Sequence, residues 1–322
     1  MRVIVVGAGA IGGPIAARLF DHGYGVLLVA RGANYEAIAR DGLSIATPDG
    51  TTVSRVDVVN GIQRISYRDG DAVVLCVKSQ DSRQALSDLA SVVPASTPIF
   101  CAQNGVANER MSLEQFSRVY GVCVLSPASY LEPGRVEVFS SPVISVLDVG
   151  VWPRGVDNFA RELSASLVDA GFASLVTLDI ETLKWGKLLS NILNSLEVLS
   201  GPDSLSGELA VEAHEEALRC LSAHGVDVEQ AESMLGERMK LISYRSIGDS
   251  HRVGSSTWQS VLRQSGEVES DFLNGEIVEL GRCYAIPTPV NELLQRRAND
   301  LVRAHEAPGS LTLEELRASL RS

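Results

Sequence analysis

Apolar residues change their period near the middle of this 322-residue chain. In the first half they come as short continuous runs, among them Val3-Ile4-Val5-Val6, Val26-Leu27-Leu28-Val29, Ala72-Val73-Val74-Leu75-Cys76-Val77 and Pro98-Ile99-Phe100-Cys101. Runs without alternation predict parallel strands covered on both faces. Gly42–Ile45 and Thr51–Val53 flank Pro48-Asp49-Gly50, which predicts a hairpin inserted in a crossover. Further strands are expected near 119–127 and 134–149, then a helix over about 156–170 and a short strand near 173–176. From Asp179 onward 3.6-residue periods dominate. They predict helices over about 179–200, 205–224, 227–240, 256–284 and 289–305, and a tail helix over 312–320. Thr288 is placed to cap the helix that Pro289 opens.

The first run is followed by Gly7-Ala8-Gly9-Ala10-Ile11-Gly12, then a helix-period stretch, then a second run ending at Ala30-Arg31. A strand, glycine turn, helix and strand in this order mark a dinucleotide site. Gly7 permits the sharp turn, Gly9 leaves room for the pyrophosphate, and Gly12 lets helix and sheet pack closely. The helix N-terminus offers N–H groups and the positive end of its dipole. The next acidic residue after the second strand is Glu36, so no carboxylate stands at the strand end to accept ribose hydroxyls. Arg31 can instead pair with a 2′-phosphate, and the cofactor expected is NADP(H). The fold expected is α/β: a doubly wound Rossmann-type domain over 1–178 and an all-α substrate domain over 179–322, with the active site in the cleft facing the second domain.

A net charge of −12 argues against nucleic acid and anionic membranes as partners. No apolar stretch is long enough to span a bilayer, and the chain enters its first strand at once, so a cytoplasmic location is expected. The five cysteines lack CxxC spacing and predict reduced thiols and no metal site. The five histidines are dispersed, which argues against a histidine acid–base pair.

Candidate chemistry sits at strand ends and on one helix. Lys78 and Asn104 follow two of the apolar runs, on the side where loops carry function. Lys78 could meet a phosphate or the cofactor ribose, and Asn104 the nicotinamide ribose or the substrate; a solvated lysine and a turn asparagine before Gly105 are the alternatives. Lys187, Asn191 and Asn194 are spaced i, i+4 and i+7, so on one helix they share a face. Ligand oxygens would serve them as partners; a solvent-facing stripe is the alternative. Lys184 lies on a neighbouring stripe. Ser255-Ser256 and Gln259 open a later helix, on which Glu269 and Asp271 point to different faces.

Taken together these pieces resemble the ketopantoate reductase (2-dehydropantoate 2-reductase) family over nearly the whole chain. The matching segments are Gly7–Gly12, Arg31, Cys76-Val77-Lys78, Gln103-Asn104-Gly105, Trp185-Gly186-Lys187 with Asn191, Ser255-Ser256 with Gln259, Glu269 leading into Phe272-Leu273-Asn274-Gly275, and Ile286–Asn291. The resemblance implies reduction of ketopantoate to pantoate with NADPH, in pantothenate biosynthesis. It implies Lys187 as the general acid. Glu269, Asn104 and Asn191 would hold substrate or order the lysine, Ser256 would meet the substrate carboxylate, and Arg31 and Lys78 would contact the cofactor. Asn194 and Ser195 stand near the family's second asparagine, whose position is Ser195 here, and Ser260 replaces a common aspartate. Those departures leave open another 2-oxo acid or small carbonyl as substrate. A non-catalytic NADP-binding sensor would be expected to lose the acid lysine, which this chain keeps. Apolar helix content permits a homodimer without showing its symmetry.

Overall fold

A computed structural model describes residues 1–264 and 266–320. By contacts the chain divides into two compact units. The first comprises Met1–Gln103, Ala107–Glu181 and Gly236–Arg252; the second comprises Asn104–Val106, Thr182–Leu235 and Val253–Ser322. The single cut expected at 178/179 is therefore not how the contacts divide.

In chain order the α/β part runs β1 (Arg2–Val6), α1 (Gly12–Asp21), β2 (Val26–Ala30), α2 (Gly32–Asp41), β3 (Leu43–Thr47), β4 (Gly50–Ser54), β5 (Val58–Asn60), β6 (Asp71–Leu75), α3 (Ser82–Ala90), β7 (Ile99–Cys101), α4 (Ala107–Leu113), β8 (Val119–Leu125), β9 (Ala128–Glu132), β10 (Arg135–Val138), β11 (Val146–Val151) and α5 (Asn158–Asp169). The main sheet has the order β11-β8-β7-β6-β1-β2-β5, parallel except for β11. The order reverses at β1, which pairs with β2 on one side and β6 on the other, Val6 standing beside both Val29 and Leu75. This is the doubly wound arrangement, whose ligands bind beyond the strands' carboxyl ends at the reversal. The apolar runs are buried on both faces as their lack of alternation requires: all five residues of β2 and of β6 are buried.

The expected hairpin is present as β3 and β4. It belongs to a second sheet, β4-β3-β10-β9. The run expected near 134–149 is two strands, β10 and β11, in different sheets. The expected strand near 173–176 reduces to single bridges from Ala173 and Val176 to β11.

Residues 236–252 join the first unit through a buried ion pair and through backbone bonds, the Arg245 N–H donating to the Phe139 carbonyl at 3.0 Å. Arg238 donates to both Asp148 carboxylate oxygens at 2.6 and 2.7 Å, and Asp148 is 2% exposed. Burial pushes the Asp148 carboxyl above its ordinary value, and the Arg238 bonds only partly oppose this.

The helical part runs α6 (Ile180–Asn191), α7 (Asn194–Ser200), α8 (Glu208–His224), α9 (Val228–Met239), α10 (Ser256–Leu262), α11 (Asn274–Tyr284), α12 (Pro289–Arg303) and α13 (Leu313–Ser319). The helix expected over 179–200 is broken at Ile192-Leu193. In an unbroken helix the Ile192 carbonyl would accept from the N–H four residues on. Here it accepts from Asn274 Nδ2 at 3.0 Å. The helix expected over 256–284 is α10, a 3-10 turn at Glu269–Phe272 and α11; its middle includes Ser265, which lies outside the described residues.

Thr288 makes no side-chain cap at α12. Its methyl lies where a Cβ on Gly281 would come within 2.7 Å. The buried carboxylate of Glu216, from α8, caps α12 instead, accepting from the N–H groups of Val290 and Asn291 at 2.9 Å each. Asn291 in turn accepts from Asn274 at 3.0 Å, so one buried polar chain joins α8, α11 and α12 to the break after α6.

Candidate active site

The turn after β1 has the shape that a dinucleotide requires. Gly7 sits at φ +107°, a conformation that L side chains rarely adopt, and a Cβ there would lie 2.9 Å from the Cys76 carbonyl carbon. A Cβ on Gly12 would run into the Gly7 carbonyl oxygen and come within 2.9 Å of Cys76 Cβ. A Cβ on Gly9 would meet nothing within 4 Å. Two glycines are thus demanded by packing, while the third leaves an open approach to backbone N–H groups at the N-terminus of α1. That arrangement fits a pyrophosphate. Ala8, Ala10 and Ile11 complete the turn. Arg31 follows β2 as the residue before α2, is exposed, and makes no ion pair among the described residues. Lys78, half-buried, stands three residues past the end of β6 and precedes a 3-10 turn.

Sequence reasoning passed over Asn34, on α2, which donates from Nδ2 to the Ala8 carbonyl at 2.9 Å.

In the second unit, α6 carries Lys187 and Asn191 one turn apart. Lys187 Nζ donates to Asn191 Oδ1 at 3.0 Å and to Ser190 Oγ at 3.4 Å. Asn191 is 5% exposed, and its Nδ2 is buried with no hydrogen-bond partner among the described residues. Lys184 is buried, whereas Lys187 is half-buried. The break after Asn191 removes Asn194 from this face; it opens α7 instead. Ser195 is wholly buried, its hydroxyl donating to Asn274 Oδ1 at 2.6 Å. The structure therefore gives Ser195 to the core.

Glu269 lies on the 3-10 turn, which α12 clamps. Asn299 Oδ1 accepts from Ser270 Oγ at 3.0 Å, and Asn299 Nδ2 and Gln295 Nε2 both donate to Asp271 Oδ1, at 2.8 and 2.7 Å. The Asn104-Gly105 turn comes to the same place: a Cβ on Gly105 would lie 2.7 Å from the Phe272 carbonyl oxygen. Ser256 begins α10, and Glu197 holds that helix start by accepting from the Ser255 N–H at 3.0 Å. The clamping residues Asn299, Gln295 and Glu197 left no signal in local spacing, because each acts across more than twenty residues of chain.

No helix among the described residues is long and apolar enough to cross a membrane, and no group of three His, Cys, Asp or Glu among them is placed to hold a metal ion.

A doubly wound sheet opening on a glycine turn that fits a pyrophosphate is the frame of a nicotinamide-dependent oxidoreductase. Comparison with known proteins agrees. A family described as "Ketopantoate reductase PanE/ApbA" matches residues 3–149, and its C-terminal counterpart matches residues 179–301. The chain belongs to the ketopantoate reductase family.

It is 28% identical over 319 residues to a 2-dehydropantoate 2-reductase of Pyrococcus horikoshii, with 96% of this chain and 99% of the relative covered. Among solved structures it is similar to a PanE/ApbA family ketopantoate reductase of Ralstonia eutropha JMP134, at TM-score 0.79 and 25% identity, covering 95% and 99% of the two chains. A D-mandelate dehydrogenase solved with NADH and anilino(oxo)acetate shares the fold at TM-score 0.79 and 19% identity, with the same coverage.

Proposed function

We propose that the chain reduces the ketone of a 2-oxo acid with NADPH, and that ketopantoate is its substrate, giving pantoate in pantothenate synthesis. The Lys187–Asn191 pair carries this reading. Asn191 spends its oxygen on the Lys187 ammonium, and its buried Nδ2 is left without a partner. A buried donor without an acceptor costs about 1–3 kcal/mol, a cost accepted here at the residue that orients Lys187.

The nicotinamide, when bound, supplies the hydride that adds to the carbonyl carbon. As the carbonyl π bond breaks, negative charge gathers on oxygen. Lys187 stabilises that charge and delivers a proton from Nζ, then regains one from solvent. Asn191 fixes where Nζ points. Glu269 and Asn104 hold the substrate, a reading supported by the close approach of Gly105 to the Phe272 carbonyl, and Ser256 meets its carboxylate. Arg31 holds the 2′-phosphate, and Lys78 contacts the cofactor. Ser195, the position where the family often has asparagine, is buried here with its hydroxyl given to Asn274, which weighs against its holding the substrate.

The test is NADPH oxidation followed by absorbance with ketopantoate beside a panel of other 2-oxo acids. Saturable turnover favouring ketopantoate supports the full reading. Preference for another acid keeps the chemistry and replaces the substrate. Tight NADPH binding with no turnover of any acid overturns the enzymatic reading in favour of a sensor.

A further inference from the structure

We propose that Asn34 is a positioning residue for the dinucleotide: it aims the Gly9 N–H at the pyrophosphate and locks the glycine turn to the second sheet. Its side chain uses both ends. Nδ2 donates to the Ala8 carbonyl at 2.9 Å, and Oδ1 accepts from the Gly134 N–H at 2.8 Å. The Gly134 carbonyl accepts in turn from the Ser44 N–H at 2.8 Å, so the chain of bonds continues into β3.

Peptide planarity turns the first bond into a constraint on the cofactor. In a trans peptide the C=O of one residue and the N–H of the next point in opposite directions. Holding the Ala8 carbonyl toward α2 therefore faces the Gly9 N–H away from it. At Gly9 an added Cβ meets nothing within 4 Å, so that backbone is open to a ligand. Asn34 also lies three residues beyond Arg31, so one side chain fixes the glycine turn and the helix start that follows the 2′-phosphate candidate. Packing supports the same tie. A Cβ on Gly134 would lie 3.0 Å from Ala37 Cβ on α2, and one on Gly13 of α1 would lie 3.0 Å from Val136 Cγ2 on β10. The inserted sheet thus rests on both helices that follow the turn.

The inference rests on the reading that this turn holds a nicotinamide dinucleotide. It is tested by measuring NADPH and NADH dissociation constants, by nucleotide fluorescence, for wild type, Asn34→Ala and Asn34→Asp, with thermal unfolding of each apo-protein. Aspartate keeps the acceptor for Gly134 and with it the tie to the sheet, but cannot donate to Ala8. Both variants should weaken both cofactors by about fivefold to tenfold, the effect of one lost hydrogen bond, with the NADPH-to-NADH preference unchanged. Repeating Asn34→Asp beside wild type in about 1 M salt, where the screening length falls to about 3 Å, reduces the longer-range repulsion between the new carboxylate and the phosphates and should leave most of the loss in place. Should Asn34→Ala not fold, Asn34→Asp decides alone. Lowered melting temperature with unchanged dissociation constants would make Asn34 merely structural and overturn the proposal. So would a loss confined to NADPH, which would place its action at the 2′-phosphate. If wild type binds neither nucleotide, the cofactor reading itself fails; if wild type binds and the variants match it, only the role of Asn34 fails.

Discussion

Lys187 and Asn191 lie one turn apart on α6, and the ammonium of the first donates to the amide oxygen of the second at 3.0 Å. The bond fixes the lysine at the price of leaving the other end of the asparagine, Nδ2, buried without a partner. A local helical spacing thus produces both an oriented ammonium and a buried donor without a partner beside it.

Replacing Lys187 by alanine should lower kcat by about 10²- to 10⁴-fold, the range for a positioned proton donor. NADPH affinity should hold within twofold, since the glycine turn belongs to the other unit. Stopped-flow turnover and a fluorescence titration check the two halves. Surviving turnover would transfer the acid role to Lys184, which the structure buries.

Arg31→Asp should weaken NADPH far more than NADH. A bond to a charged group contributes about 1.5–3 kcal/mol, or roughly 10- to 100-fold in affinity, and the new carboxylate adds repulsion. Paired titrations with the two cofactors report the ratio. Equal losses would mean that Arg31 does not touch the 2′-phosphate.

What was legible in the sequence was local. The glycine turn, the strands beside it and the β3–β4 hairpin follow from neighbours within a few residues, and Lys187 and Asn191 from a four-residue spacing. What was not legible depends on distant partners. The end of α6 is set by Asn274, 82 residues away from the Ile192 carbonyl that it captures. The cap of α12 comes from Glu216 rather than from Thr288 beside it. Residues 236–252 return to the first unit on distant partners, Asp148 lying 90 residues from Arg238 and the Phe139 carbonyl accepting from the Arg245 N–H. No periodicity records such pairings. A helix reading carried Asn194 onto the Lys187 face, and a side chain from α11 removed it.

Gly105→Ala tests whether the Asn104 turn must sit against the Glu269 turn. Gly105 has φ +76°, and the added methyl would lie 2.7 Å from the Phe272 carbonyl oxygen. A left-handed alanine costs about 1–2 kcal/mol, and the clash adds to it by forcing the two turns apart. We expect kcat/KM for the oxo acid to fall by about tenfold or more, with NADPH affinity little changed. Steady-state kinetics at saturating NADPH give the first and a titration the second. Wild-type kcat/KM would separate Asn104 from the substrate.

The Asp148–Arg238 pair gives a pH-dependent prediction for stability. Arg238→Met leaves the nearly fully buried Asp148 carboxylate unpaired, and breaking such a pair costs about 3–5 kcal/mol near neutral pH. Burial already raises the Asp148 folded-state pKa, and removing its cation raises it further. A carboxyl whose folded pKa exceeds its unfolded value disfavours folding fully above the folded pKa. It ceases to do so below the unfolded pKa, where both states hold the proton. The stability deficit of the variant should therefore be greatest at about pH 8 and shrink as pH falls through the raised pKa toward the ordinary aspartate value of about 4. Urea unfolding of wild type and variant at matched pH isolates the difference, because all other titrations are common to both. A deficit that stayed constant across that range would mean that Arg238 contributes packing rather than charge.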